Sequence, residues 1–192
     1  MSLAESLHLI TDRSAADVMQ AEQINSKAWQ NLSELERNAY EAGLKGSYKF
    51  SDINRVEAAV AEISSAMVTL AAELDEQAAE SGVDWDKNKL PYDPADFELT
   101  TKTDWTAADM MPWSDRERYI GNVTKIRDAL CPELPLPLSL EGLTWAGANE
   151  IEAALIAAAD KLSELREELL GDIEAEATQL KFHSGEIYSG EV

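Results

Sequence analysis

Two stretches of this chain carry the same apolar rhythm at the same distance from each other. Ile53, Val56, Val60, Ile63, Met67, Leu70 and Leu74 are spaced 3,4,3,4,3,4, and Ala148, Ile151, Leu155, Ala158, Leu162, Leu165 and Leu169 repeat that spacing 95 residues later. Such spacing places all seven side chains on one stripe of a helix, the seam used in coiled-coil packing. Each stripe spans 22 residues, about 33 Å of helix at 1.5 Å per residue. Neither stretch contains Pro or Gly. Two long helices that bury their seams against each other, in antiparallel fashion, are therefore the expected spine.

The repeat extends beyond the seams. Thr11-Asp12-Arg13-Ser14-Ala15-Ala16-Asp17-Val18-Met19 aligns with Thr103-Asp104-Trp105-Thr106-Ala107-Ala108-Asp109-Met110-Met111, identical at six of nine positions with an offset of 92. Asn54-Arg55-Val56-Glu57 likewise aligns with Asn149-Glu150-Ile151-Glu152. Self-similarity at a fixed period marks an architecture built from copies of one unit. The expectation is a mainly α, internally duplicated helical bundle: a first repeat over 1–80, a linker packed on the bundle over 81–101, a second repeat over 102–171 and a tail over 172–192.

Shorter helices should precede each spine helix. One is expected from about Ala15 to Leu32, with Val18, Ala21, Ala28 and Trp29 inward. Ser33 with Glu36 and Ser114 with Glu117 have the spacing of capping boxes; Asp17 and Asp109 fit the far ends of boxes begun by Ser14 and Thr106. The Pro132–Pro137 connector forbids helix, and Phe50 and Trp145, just before the long helices, are placed to plug the end of the bundle. In the tail, Leu180-Lys181-Phe182-His183 and Glu186-Ile187-Tyr188 alternate in period two around Ser184-Gly185. That pattern predicts a short β strand or hairpin, too small to be stable alone, and makes Phe182, Ile187 and Tyr188 the candidate partner-binding side chains.

The 192-residue chain has a net charge of −21 and one cysteine, Cys131. The charge sits unevenly: −2 over residues 1–55, −9 over 56–100, +1 over 101–127 and −11 over 128–192. An anionic surface repels nucleic-acid backbones and acidic headgroups, so direct binding to either is not expected. No apolar run approaches a membrane span and the first residues lack the pattern of a signal peptide. A lone cysteine cannot form an internal bridge, and Cys131 fits a packing role at a helix end.

Chemistry-bearing constellations are few. His8 and His183 stand at opposite ends of the chain with no metal-ligand spacing. Asp84, Asp86 and Asn88 imitate the start of a calcium loop, but the glycine is missing and Ala95 stands where a bidentate glutamate belongs. No metal, cofactor or catalytic set is expected. Glu57 and Glu152 could in principle pair as acid and base across the bundle. Their recurrence in both copies beside Asn54 and Asn149 fits hydrogen bonding to incoming chain better.

Several segments together resemble a family of small uncharacterised proteins encoded in phage and prophage tail or baseplate gene regions. They are Ile10-Thr11-Asp12-Arg13 with Ala16-Asp17-Val18, Leu44-Lys45-Gly46-Ser47-Tyr48, Ser51-Asp52-Ile53-Asn54-Arg55-Val56-Glu57, Lys102-Thr103-Asp104-Trp105-Thr106, and Ser184-Gly185-Glu186-Ile187-Tyr188-Ser189-Gly190-Glu191. The resemblance implies a non-enzymatic structural or adaptor component of a phage-type particle, located in the virion or the host cytoplasm, with protein partners and with homo-oligomerisation left open. The acidic segments carry an alternative, a decoy that inhibits a nucleic-acid-binding protein.

Overall fold

A computed structural model describes residues 2–184. Six α-helices follow in order: α1 (Leu3–Ser6), α2 (Ala15–Asn25), α3 (Glu34–Glu41), α4 (Phe50–Ser81), α5 (Trp113–Leu130) and α6 (Trp145–Ser184). Short 3-10 turns lie at Trp29–Asn31, Lys87–Lys89 and Pro94–Phe97, and there is no strand among the described residues. The two spine helices are there, and their seams are buried. Of the fourteen seam side chains only Ile53 is partly exposed. Gly82, at φ 68°, ends α4 in the left-handed conformation that glycine adopts without strain.

The spine helices run parallel, which corrects the antiparallel expectation. Arg55 near the start of α4 bonds Glu152 near the start of α6, and Glu73 near the end of α4 pairs with Arg166 far along α6. The chain can manage this because each helix is followed or preceded by an extended strap that carries it back. Past Gly82 the backbone descends the whole of α4. The indole of Trp85 donates to Asp75 (3.0 Å), the Tyr92 hydroxyl to the Met67 carbonyl (3.1 Å), the Ser64 hydroxyl to the Phe97 carbonyl, and the Lys102 N–H to Glu57 (3.3 Å). This strap buries Leu90, Phe97 and Trp105. The linker expected over 81–101 is thus a packed layer of the core.

α5 then climbs in the same direction as α4. Arg118 in its first half meets Glu57, while Lys125 one turn or two later reaches Asp96 and the ring of Phe97, level with Ser64. Tyr119, Val123, Ile126 and Leu130 form its buried stripe. Its first residue is Trp113, so Ser114 lies inside the helix and caps nothing; Pro112 occupies the cap position. Cys131 closes the helix, buried, with its N–H on the Arg127 carbonyl (2.7 Å). The proline-rich connector descends again: Arg127 holds the Leu134 carbonyl (2.6 Å), and Leu138–Glu141 pass the start of α5. Three parallel helices separated by descending straps form the body.

Residues 11–49 make a small attachment on that body. α2 ends at Asn25, seven residues short of the expected Leu32, and Trp29 turns outward in the 3-10 segment, 49 % exposed. Ala21, Ile24, Leu32 and Leu44 form a separate small core, while α3 buries none of its residues. Both first-copy capping boxes are present: Ser14 with Asp17, and Ser33 with Glu36. Gly46 permits the contact between this unit and its own loop, since a Cβ there would stand 2.1 Å from the Asp17 carbonyl carbon and oxygen.

At the far end α6 runs unbroken through Gly171 to Ser184, with Ile173 and Ala177 continuing its buried stripe. The expected strand at Leu180–His183 is therefore helix. Leu180 and Phe182 sit on it at 46 % and 56 % exposure. Ile187 and Tyr188, with the remainder of the expected hairpin, lie outside the described residues. No helix among the described residues is long and apolar enough to cross a membrane.

Candidate functional site

All three long helices begin at one pole of the molecule, and each begins with a large aromatic residue: Phe50, Trp113 and Trp145. They are exposed by 40 %, 57 % and 41 %. Phe50 and Trp145 thus do not plug the bundle end; what closes it is charge.

Two asparagines organise this pole. Asn54 on α4 clamps the backbone of Trp105, receiving its N–H and donating to its carbonyl (both 2.8 Å). Asn149 on α6 clamps Arg13 in the same way (3.1 and 2.9 Å). One turn further, Glu57 receives the N–H of Lys102 (3.3 Å) and Glu152 that of Ile10 (2.5 Å). Under the repeat offsets Arg13 corresponds to Trp105, Ile10 to Lys102, Asn54 to Asn149 and Glu57 to Glu152. Each set of contacts therefore maps onto the other when the copies are exchanged. The asparagines and glutamates do hold incoming chain, as their spacing suggested. Asn149 and Glu152 hold the first copy's entry strap, and Asn54 and Glu57 that of the second.

The two glutamates are not joined as an acid–base pair; each is claimed by arginine. Glu57, 1 % exposed, takes a two-pronged guanidinium from Arg118, with Nη1–Oε2 at 2.9 Å and Nη2–Oε1 at 2.6 Å. Glu152, fully buried, receives Arg13 Nη2 (2.6 Å), Arg55 Nη2 (2.8 Å) and Arg55 Nε (3.2 Å). Asp52 completes this second cluster. One oxygen accepts from Arg13 (3.0 Å) and Arg55 (2.6 Å), and the other caps α4 through the Lys49 N–H (2.8 Å). Two arginines thus face two carboxylates. Burial works against the Arg55 cation, but its bonds to Glu152 and Asp52 outweigh that and raise its pKa. Arg118 is held charged by its bond to Glu57. The Arg13 guanidinium also lies 5.4 Å from the Tyr48 ring, and the Tyr48 and Tyr119 hydroxyls share a hydrogen bond. Burial pushes both phenols upward. In this network every carboxylate meets a guanidinium, although the buried Arg13 Nε has no hydrogen-bond partner among the described residues, and the matched charges fix the geometry of the pole.

Beside this network lies an open groove of about 630 Å³. Tyr40, Lys49, Phe50, Ile53, Trp105 and Met111 are among its walls. The Lys49 ammonium sits 5.0 Å from the centre of the Tyr40 ring, and no carboxylate among the described residues lies within ion-pair distance of it. Trp105 is 5 % exposed, and its indole Nε1 is buried without a hydrogen-bond partner among the described residues. Asp109, also at the groove, is already engaged by the Thr106 N–H (2.7 Å) and hydroxyl (2.8 Å), which lower its pKa. That pair repeats the Ser14–Asp17 geometry, although no helix follows it.

The remaining candidates are scattered. His8 stands in the left-handed region at φ 50°. Asp86 bonds Asn88 in a tight local turn. Among the described residues no three His, Cys, Asp or Glu side chains gather as a metal site. Phe182 is at the opposite end of α6 from the groove. Sequence reasoning placed Asn54, Asn149, Glu57 and Glu152 on equivalent first turns. It missed Arg13, Arg55 and Arg118 as their partners, and Tyr40, Lys49 and Trp105 as neighbours. Only Arg13 and Trp105 carried a signal, as the odd pair in an otherwise matching repeat. Compared with known proteins, the chain matches no family model, no curated protein and no solved structure.

Proposed function

We propose that this protein is a non-enzymatic structural or adaptor component that works by binding other proteins, and that its two halves arose by internal duplication. The observation that carries this reading is the use made of the buried carboxylates. Glu57, Glu152 and Asp52 all bond arginines and backbone, so the residues best hidden from water hold straps in place. The exposed features at the same pole are aromatic, which suits protein contacts. The crossed clamps support duplication, since each copy holds the other's entry strap through the same residue types.

The resemblance to phage tail- and baseplate-region proteins supports a phage-type particle as its setting. Phe182, Ile187 and Tyr188 are the side chains we propose for contact with that protein partner; Phe182 is 56 % exposed near the end of α6. The experiment is a pull-down with the full chain from a lysate containing assembled particles. Recovery of tail or baseplate proteins supports the reading. Recovery of a nuclease or repressor instead assigns the protein to the acidic-decoy alternative, for which the −11 charge of residues 128–192 speaks.

A further inference from the structure

We propose that residues 185–192 of one molecule occupy the Tyr40–Phe50–Trp105 groove of a second copy, joining molecules head to tail. The inference rests on the protein-binding reading above and names one partner, the chain itself.

Reach decides between self and neighbour. The groove is built on the first turns of α4, where Arg55 is bonded to Glu152. Ser184 lies 32 residues beyond Glu152 in the same helix, about 48 Å at 1.5 Å per residue. Eight further residues span at most about 29 Å when fully extended. A molecule cannot fill its own groove; only another copy can supply the segment.

Chemistry selects the segment. The groove presents aromatic and aliphatic walls, the Lys49 ammonium, which no carboxylate among the described residues pairs, and Asp109, whose carboxylate is taken up by the Thr106 N–H and hydroxyl. Residues 185–192 read Gly-Glu-Ile-Tyr-Ser-Gly-Glu-Val. Ile187 and Tyr188 suit the walls, and Glu186 suits Lys49. Glu186 and Glu191 are the segment's ionisable acids, and it contains no cation. Its charge is therefore opposite to that of Lys49 and like that of the acidic helices elsewhere, which repel it. A groove at one pole and its occupant at the other form a heterologous contact, which propagates into an open filament or closes into a ring.

Sedimentation of purified full chain across a wide concentration range tests this, together with a variant lacking 185–192 and a Phe50→Ser variant. Phe50 is 40 % exposed at the first position of its helix, so its loss leaves the buried seam intact; circular dichroism verifies folding of both variants. The full chain should grow in mass with concentration beyond a dimer, and each variant alone should remain monomeric. Mixing the two variants should restore one functional contact, an intact groove with an intact tail, and yield dimers and nothing larger. A full chain that stays monomeric at every concentration overturns the inference, as does a tail-less variant that still associates or a mixture that fails to pair. A monomeric chain that still recovers particle proteins refutes the self-contact alone. Self-association without such recovery refutes the particle reading and leaves the self-contact standing.

Discussion

Replacing Glu152 by Gln removes one negative charge from a side chain closed off from bulk solvent. Glu152 is fully buried and bonds Arg13, which is 4 % exposed, and Arg55. With Gln in place the two guanidinium groups share Asp52 as their one carboxylate; Arg55, its side chain 20 % exposed, can turn to water, and Arg13, at 2 %, stays in the core with its charge under-matched. The amide also cannot serve both sides. If its oxygen faces the arginines, its NH₂ opposes the Ile10 N–H; if it turns over, the NH₂ opposes the guanidinium donors. Breaking a buried ion pair on one side costs about 3–5 kcal/mol. Glu57→Gln is the internal control, because it stands at the equivalent position and loses a single arginine, Arg118, whose side chain is 20 % exposed and regains water. Its cost should be about 1–2 kcal/mol, near the low end for hydrogen bonds to charged groups. Urea unfolding followed by circular dichroism reads both. With a slope of roughly 1–3 kcal/mol per molar urea, Glu152→Gln should lower the midpoint by about 1–5 M and Glu57→Gln by clearly less. Adding Arg13→Met to Glu152→Gln removes the stranded cation, so the double variant should be less destabilised than the two single effects added together. A Glu152→Gln protein within 1 kcal/mol of the parent, or equal damage at both positions, would refute the argument that the two copies anchor their straps differently.

Four other expectations are simpler to check. Gly171 sits in an exposed turn of α6 with nothing within 4 Å of a Cβ built on it, so Gly171→Ala should stabilise by about 0.5–1 kcal/mol in thermal melts; a loss would mean that this turn is not helical in solution. Gly46→Ala should be destabilising by about 1–3 kcal/mol, because its Cβ would meet Asp17 backbone at 2.1 Å, and the damage should appear first in hydrogen exchange of α2. Val60→Asp or Leu155→Asp puts an unpaired carboxyl into the seam and should cost about 3 kcal/mol or more in urea melts; an unchanged midpoint would show that seam to be wet. Burial raises the phenols of Tyr48 and Tyr119, and that of Tyr92 to about 12. The stability they contribute is whole below the unfolded tyrosine value of about 10 and falls as pH climbs toward 12, so phenolate absorbance and loss of helix signal should rise together, whereas phenolate formation at pH 10 in folded protein would contradict it.

The spine was legible because a 3,4 spacing maintained over seven positions has no competing explanation, and thirteen of the fourteen side chains are buried as that spacing requires. Direction was not legible, since 3,4,3,4 reads the same from either end. Economy of connection suggested antiparallel, and what defeated it is the return straps, whose register depends on single contacts such as Tyr92 with Met67. The tail misled for the opposite reason. Alternation over Leu180-Lys181-Phe182 is too short to outweigh the stripe Leu169, Ile173, Ala177, which steps on by helical intervals to Leu180. Gly171 lies on the solvent side, where a glycine costs a helix about 1 kcal/mol and a 40-residue packed helix tolerates it.

The site was illegible for a deeper reason: it depends on a difference between copies. Asn149 and Asn54 fix the same backbone geometry on two straps, and the side chain presented there is Arg13 in one copy and Trp105 in the other. Arg13 turns into the core and, with Arg55, satisfies Glu152 and Asp52. Trp105 lines the groove, and Glu57 must find its guanidinium on α5 instead. Arg118 takes that role from the one long helix without a counterpart in the first copy, where α3 has eight residues and buries none. The extra helix frees the Trp105 position from electrostatic duty. Putting Arg at 105 should therefore leave Glu57 no better satisfied, since Arg118 already occupies both its oxygens, and should strip the groove of its largest ring. Trp105→Arg would then weaken pairing with a molecule that carries an intact 185–192 segment through the lost aromatic wall, while an unchanged urea midpoint of Glu57→Gln in that background, relative to Trp105→Arg alone, would refute the view that Arg118 alone neutralises Glu57.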